Sequence, residues 1–223
     1  MNKSIHKLLY RSMILISGIF IVWTVLNNFI FDPNAVSFLS HKTHLNHPLD
    51  VHAWLNVLHI HITFACLALI SGAINFATRI WRDNRKLHRG NGYAYLLCVF
   101  IVCGTSGYMA PTATGGTIDS IAFNLMNMLW MATTATAFIQ IKRKRVISHR
   151  TWMVRSYVFC FTNLWIHVLM FVYSFLIGIA YNLSYTMSVY GSIVLNAVIS
   201  SIVIRLFLTN SRDTHEILLS HSQ

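Results

Sequence analysis

The chain has 223 residues, of which 55% are hydrophobic and only 10% are charged. About a quarter of the residues in a typical soluble domain are charged, so this composition excludes an ordinary soluble protein. The formal net charge of +11 at pH 7 would suit a nucleic-acid binder. The cationic residues are instead spread over several short segments, which argues against nucleic acid as a partner.

Six apolar segments are long enough to cross a bilayer as helices, which requires about 20 residues each. None of them alternates with the period of two that a membrane β-strand shows. The sequence therefore predicts an all-α, polytopic membrane protein, a six-helix bundle formed by a single domain, 1–208, and followed by a polar tail, 209–223. The predicted helices cover about 9–31, 54–77, 92–110, 121–141, 152–180 and 185–208.

The positions of the cations predict the orientation of these helices. If the amino terminus is cytoplasmic, all of the 17 Lys and Arg residues except Lys42 lie on the cytoplasmic side. This bias is the positive-inside pattern, and it supports six crossings, because the loss of one helix would invert the later loops. Both termini are therefore predicted to be cytoplasmic. No small-residue cleavage site follows the first apolar run, so we expect that helix to be retained.

The motifs that usually mark hydrolysis, metal binding or ion coupling are missing from the sequence. All six acidic residues fall in predicted loops or in the tail, which disfavours a proton pump or an ion-coupled transporter. There is no GxSxG, HExxH or phosphate-loop motif, and the four cysteines form no CxxC pair. Histidine is the chemically versatile residue that remains.

Three histidines lie within predicted helices: His59 and His61 in the second, and His167 in the fifth. A polar side chain at membrane depth is costly unless it is paired, so we expect a functional role for them. At about 100° per residue, His167 shares a small and polar stripe with Ser156 and Asn163. That stripe is expected to face the interior of the bundle.

Two short segments repeat one arrangement, a His-Arg pair between a basic loop and an apolar run. They are LHRGNGY, with His88, and SHRTWMVRS, with His149. His149 precedes His167 by 18 residues, five turns and about 27 Å of helix, which nearly spans the apolar core.

Antiparallel packing would place His61 near His167 in the outer half of the membrane, and His88 near His149 at the cytoplasmic interface. Two levels of histidine are what a transmembrane electron carrier with b-type haem requires. The leading prediction is therefore a haem b protein that exchanges electrons with a redox partner or a quinone.

Other roles for these residues remain open. His61 and His167 could serve as packing residues or as quinone contacts. Arg89, Arg150 and Arg155 could bind lipid phosphates at the inner interface, as in a non-enzymatic assembly factor or a lipid-interacting protein.

Two weaker alternatives concern the predicted outer loop and the helix interiors. The loop histidines could bind copper or zinc, although a solvated loop is the simpler interpretation. These histidines are His41, His44, His47 and His52. A small-substrate transporter would instead require a water-filled central cavity lined by four asparagines. These are Asn75, Asn124, Asn127 and Asn163.

The motifs resemble the bacterial integral-membrane family known as domain of unknown function 2306. The resemblance covers about 57–169 and rests on HIHITFACLALISGAINF, LHRGNGYAY, a Gly-Gly outer turn and SHRTWMVRSY. The HRxWMxRS pattern is the most specific part, and it is carried by His149, Arg150, Trp152, Met153, Arg155 and Ser156. The resemblance implies a multi-pass protein of the bacterial plasma membrane and no established activity.

Overall fold

The computed structural model describes residues 3–42, 49–77 and 83–206. All regular structure within these ranges is helical, with no β-strand, which confirms the predicted all-α class for this part of the chain. The helices are α1 (Lys3–Leu26), α2 (Val36–Leu39), α3 (Val51–Phe76), α4 (Arg85–Met109), α5 (Thr117–Lys142), α6 (Val146–Tyr157), α7 (Thr162–Met170) and α8 (Tyr181–Ile204). The predicted tail, 209–223, lies outside the described residues.

Several helices change their geometry along their length. α1 continues as a π-helix, Asn27–Phe31, and α4 ends in a 3₁₀ turn, Ala110–Thr112. A 3₁₀ turn, Val158–Phe161, joins α6 to α7, and a π-helix, Phe171–Leu176, follows α7. We call this whole stretch, Val146–Leu176, the α6–α7 rod.

Five segments among the described residues are long and apolar enough to cross a membrane. They are Lys7–Phe31, Val51–Phe76, Arg85–Thr112, Val146–Leu176 and Tyr181–Ile204. The remaining predicted segment, 121–141, lies within α5. That helix has 26 residues, which is sufficient length, but it also carries Asn124, Asn127 and Gln140 and is not among the five.

Three connections between helices meet at one end of the bundle, which we call the Lys42 end. The Nζ atom of Lys42 donates a hydrogen bond to the carbonyl of Thr112, between α4 and α5. The ring of His41 stacks on Tyr181 at the start of α8, with centroids 3.7 Å apart. α4 and α6 begin at the opposite end, which we call the His-Arg end. Consecutive long helices therefore run in alternate directions.

The main core lies between α3, α4, α5 and the α6–α7 rod. Tyr95 and Val99 of α4 are completely buried there, as is Ala68 of α3. A Cβ atom on Gly72 would overlap the ring of Tyr157, so the glycine allows α3 and α6 to approach closely. α1 lies at the periphery, and most of its apolar side chains are exposed, as expected of a helix that faces lipid.

A stripe of small polar residues covers the buried face of α8. Its members recur every four residues, which places them on one side of the helix. They are Ser184, Ser188, Ser192, Asn196 and Ser200. Ser188 and Ser192 bond to carbonyls of their own helix, at 2.6 Å each. The stripe allows α8 to pack closely against α5 and α7, the role that small residues often have between membrane helices.

Candidate functional site

The two repeated segments come together at the His-Arg end. His88 is the fourth residue of α4, and His149 is the fourth residue of α6. His88 lies within electrostatic range of both His149 and Arg150. Because α4 and α6 both begin at this end, the repeated His-Arg pairs occupy equivalent positions on two helices that run in the same direction.

The His149 ring has a defined orientation. Its Nδ1 atom lies 2.9 Å from the carbonyl oxygen of Ala137 in α5. A carbonyl can only accept a hydrogen bond, so Nδ1 must carry the hydrogen. In the neutral ring, Nε2 therefore keeps its lone pair, and in the charged ring it becomes a second donor.

Cationic side chains surround the two histidines. Arg89 and Arg150 follow them in sequence, and both are exposed. Arg155 lies further along α6, with its guanidinium carbon 4.4 Å from the centroid of the Trp152 ring. The amino termini of α4 and α6 add partial positive charge at the same end. The charges therefore favour an anionic ligand over a cationic one.

A buried hydrogen-bond network lies two turns deeper in the bundle. Tyr95 and Ser156 each follow one of the two histidines by seven residues, and their hydroxyl oxygens are 2.8 Å apart. The Ser156 hydroxyl also lies 2.7 Å from that of Thr134, and Trp130 Nε1 donates to the Tyr95 oxygen at 3.4 Å. The network holds α4, α5 and α6 together below the His-Arg pairs.

Hydrogen bonds also attach α3 to this site. The Ser71 hydroxyl donates to the carbonyl of Asn91 at 2.9 Å, and the Asn91 amide donates to the carbonyl of Ser71 at 2.7 Å. The Asn75 amide lies within hydrogen-bonding distance of the His88 carbonyl and the Gly92 N–H. The LHRGNGY segment is therefore bound to α3 along its length.

His61 faces α4. Its Nδ1 atom lies 3.0 Å from the hydroxyl oxygen of Thr105. The Thr105 hydroxyl gives its hydrogen to carbonyls of its own helix, at 2.8 Å for Ile101. His61 therefore donates from Nδ1, and Nε2 is its acceptor atom when the ring is neutral.

His167 and His59 both face α1. The exposed His167 ring packs edge-on against Trp23, with centroids 4.8 Å apart. His59 lies beside Phe29 at 5.0 Å, and its Nε2 atom is buried without a hydrogen-bond partner. His167 therefore contacts α1, whereas His61 contacts α4.

The prediction of one inward-facing stripe on the fifth helix is wrong beyond Cys160, which still packs against the main core. Ser156 is completely buried, whereas Asn163 and His167 are exposed. The reason is the 3₁₀ turn Val158–Phe161, which advances about 120° per residue instead of 100°. Four such residues rotate the following face by about 80°, so His149 contacts α5 while His167 contacts α1.

The predicted outer-loop histidines have separate surroundings. His41 donates from Nδ1 to the carbonyl of Ser37 at 2.8 Å, and His52 is exposed near the start of α3. His44 and His47 lie outside the described residues. Within 3–42, 49–77 and 83–206, no group of three or more His, Cys, Asp or Glu side chains is placed to hold a metal ion.

The four asparagines proposed for a transporter do not line one cavity. Asn124 and Asn163 are exposed, and the Asn124 amide bonds to the Ser120 carbonyl of its own helix at 2.9 Å. Asn75 faces α4, and Asn127 has a buried Nδ2 atom without a partner. The two exposed members are on the outer surface of the bundle.

Sequence reasoning passed over Tyr95 and misplaced Asp119. The equal spacing of seven residues after each histidine was a usable signal for Tyr95 and Ser156. The sequence predicts Asp119 in an outer loop, but it lies in the first turn of α5 and is completely buried. An acidic residue shortly after Gly116 is typical of a helix start, which was the available signal.

A comparison with known protein families gives a match for this chain. A family model described as "Predicted membrane protein (DUF2306)" matches residues 58–204, which is more than half of the chain. No curated protein and no solved structure matches the sequence. The match confirms the predicted resemblance to this family.

Proposed function

Because the chain belongs to the DUF2306 family of predicted membrane proteins, we propose that it is a six-span protein whose His-Arg end binds the phosphate of an anionic lipid. In this proposal both termini are cytoplasmic, the membrane is the bacterial plasma membrane, and α5 is the sixth span. The protein acts as a lipid-interacting component of that membrane.

The distribution of charge supports this topology. The described cationic residues other than Lys42 lie towards the His-Arg end: they are in the first half of α1, in the first turns of α4, within α6, or at the ends of α5 and α8. The Tyr10 hydroxyl donates to the carbonyl of Ala73 near the end of α3, which places the start of α1 at the His-Arg end as well. A cytoplasmic His-Arg end therefore satisfies the positive-inside rule.

One observation carries the proposed lipid site: the two His-Arg pairs, 61 residues apart in sequence, converge at one end of the bundle. Exposed Arg89 and Arg150 lie at the depth of lipid phosphates if that end is cytoplasmic. His149 presents Nε2, because Nδ1 is bonded to Ala137. The guanidinium groups of Arg89 and Arg150 donate charge-assisted hydrogen bonds to phosphate oxygens.

The selectivity of the purified protein for phosphatidylglycerol over phosphatidylcholine tests this function. Spin-labelled lipids report the fraction of each lipid that is immobilised at the protein surface. A cation beside a headgroup contributes about 1 kcal/mol, so Arg150→Gln is expected to reduce the preference for phosphatidylglycerol about fivefold.

Arg143→Gln is the matched control. Arg143 is also exposed and cationic, but it belongs to the redundant basic run that follows α5. Its loss is expected to leave the preference nearly unchanged. Equal selectivity in wild type, Arg150→Gln and Arg143→Gln would contradict a lipid site formed by the His-Arg pairs.

A second candidate function is haem b binding, as in an electron carrier that uses a quinone or another redox partner. It is favoured by the His61 side chain. In the neutral ring Nε2 keeps its lone pair, and such a nitrogen is the ligand that a haem iron requires. The protein expressed with sufficient haem would then show a Soret band that is lost in His61→Ala and kept in His52→Ala. Absence of that band from the wild type would exclude this candidate.

A further inference from the structure

Asp119 is completely buried at the Lys42 end of the bundle. Its Oδ2 atom accepts a hydrogen bond from the N–H of Gly115 at 2.8 Å, and the Thr186 side chain of α8 lies beside the same carboxyl group. The other oxygen, Oδ1, is buried and has no hydrogen-bond partner. One half of the carboxyl group therefore lacks the donor that a buried oxygen normally has.

A buried carboxylate also requires compensation for its charge, because removal of an ion from water costs several kcal/mol even after relaxation. Lys42 is the cationic side chain described at this end. Its Nζ atom donates to the Thr112 carbonyl and lies 4.8 Å and 5.1 Å from the ring centroids of Phe38 and Trp54. The ammonium group of Lys42 therefore interacts with a carbonyl oxygen and two aromatic rings.

Two further polar atoms near this turn lack partners. The Thr114 hydroxyl is buried and unbonded, and Thr114 directly precedes the glycine whose N–H contacts Asp119. The Nε1 atom of Trp54, whose ring lies beside Lys42, is also buried without a partner. Unpaired buried polar atoms commonly mark a place where an ion or water completes the hydrogen bonding.

The turn before α5 is shaped around the carboxyl group. A Cβ atom on Gly115 would overlap both the Asp119 carboxylate and the Thr186 hydroxyl. The next residue, Gly116, has φ of +67°, a conformation that favours glycine. The Gly-Gly pair therefore permits a close approach of backbone, carboxylate and hydroxyl that larger residues would prevent.

We propose that Asp119 binds a monovalent cation through Oδ1, at a site bounded by Thr114, Gly115 and Thr186. A proton and a sodium ion share the required chemistry, since either neutralises the single negative charge and is held by hard oxygen atoms. The site lies at the opposite end of the bundle from the proposed lipid site and does not depend on it.

The proton arm of the test uses thermal unfolding of the full-length protein in detergent. A proton on Oδ1 is bound more tightly by the native state than by the unfolded chain, because a buried carboxyl group is favoured in its neutral form. The stabilisation by this proton is complete below the pKa of an aspartate in the unfolded chain, about 3.9. It is lost at the higher pH at which the native carboxyl group releases the proton. The Tm of the wild type relative to Asp119→Asn should therefore fall over that range.

Other titratable groups lie near Asp119 and have to be separated from it. Tyr185 interacts with it electrostatically, Tyr181 stacks with Tyr185, and His41 and Lys42 complete the surroundings. The difference between wild type and Asp119→Asn at each pH removes their shared contribution. The infrared carbonyl band of a protonated carboxyl, present in the wild type near neutral pH and absent from Asp119→Asn, would identify the proton as the ligand.

The sodium arm replaces choline chloride with sodium chloride at constant ionic strength and near neutral pH. Sodium at ten times its Kd should raise the Tm of the wild type by roughly 3–6 °C and leave Asp119→Asn unchanged. Radioactive sodium binding measures the same site directly.

Asp50→Asn is the matched control at the same end. The exposed Asp50 carboxylate caps α3 by accepting from the Ala53 N–H at 3.1 Å, and asparagine retains a capping oxygen. Asp50→Asn should keep the wild-type response to pH and sodium. Identical responses in wild type and Asp119→Asn would overturn the proposal. If Asp119→Asn does not fold, a wild type with neither the carboxyl band nor bound sodium would overturn it.

Discussion

Ser156 connects the two halves of the buried network, and the hydrogens in that network have one consistent direction. The Thr134 hydroxyl gives its hydrogen to the Trp130 carbonyl at 2.7 Å, so it accepts from Ser156. Ser156 then accepts from Tyr95, which in turn accepts from Trp130 Nε1. The chain of donors begins and ends at Trp130. In this closed arrangement each hydroxyl group and the indole N–H has a hydrogen-bond partner, and each bond polarises the next.

Tyr95→Phe is expected to lower the free energy of unfolding by about 1–3 kcal/mol, because it leaves buried donors and acceptors without a partner. Thermal or denaturant unfolding in detergent measures this loss. Tyr93→Phe, at an exposed position two residues away, should change stability by no more than about 0.5 kcal/mol. Equal effects of the two substitutions would contradict the network.

A double-mutant cycle provides a further check on the same contact. Ser156→Ala removes the acceptor of the Tyr95 hydroxyl. The combined loss in Tyr95→Phe with Ser156→Ala should therefore be smaller than the sum of the single losses, as expected for residues in one hydrogen-bond network. Simple additivity would indicate that the two hydroxyls do not interact.

At the scale of elements, the 3₁₀ turn in the α6–α7 rod decides which residues face the core. Before the turn, His149 and Ser156 contact α5. After it, Ile166 is buried against the cluster that contains Tyr185 and Val189, and Asn163 is exposed. The segment Val158–Phe161 contains no proline or glycine to signal this change. The turn packs against α3 and α8.

The rotated face predicts opposite outcomes for two neighbouring positions. Asn163→Leu should alter stability by less than about 0.5 kcal/mol or increase it, because the side chain is exposed on an apolar surface. Ile166→Asn should cost more than about 2 kcal/mol, because Ile166 is only 6% exposed and the new amide would lack partners. Unfolding in detergent measures both. A large loss in Asn163→Leu would instead support the inward-facing stripe.

At the scale of the whole molecule, the two ends of the bundle differ in charge and in construction. At the Lys42 end, Lys42 bonds to Thr112 and the ring of His41 stacks on Tyr181. The described cations other than Lys42 lie towards the His-Arg end. A membrane protein with such an asymmetry has a defined orientation, and each end meets a different solution.

Labelling of single cysteines in intact cells tests this orientation. Asn182→Cys at the Lys42 end should react with a membrane-impermeant maleimide added outside, and Lys144→Cys at the His-Arg end should react only after the cells are opened. Both native residues are exposed, so access to the reagent depends on the side of the membrane. Reaction of both variants from the same side would exclude six crossings with a cytoplasmic His-Arg end.

Apolar length and composition were sufficient to predict a helical membrane protein, because in lipid the backbone must satisfy its own hydrogen bonds. The family resemblance was likewise available from short motifs such as the one that ends at Ser156. The helix limits were predicted to within a few residues for several segments, such as 54–77 against Val51–Phe76. These features depend on residues that are neighbours along the chain.

Other features depended on residues that are distant in sequence. Tyr95 pairs with Ser156 across 61 residues, and Asp119 is buried because α8 supplies Thr186 beside it. The period of an α-helix could not predict the direction of the His167 side chain. One 3₁₀ turn rotated the direction of every side chain that follows it. The sequence alone therefore determined the class of protein and the positions of the His-Arg pairs along the chain. Tertiary packing decided which polar groups are buried and which of them meet, because burial is a property of the neighbours and not of the residue itself.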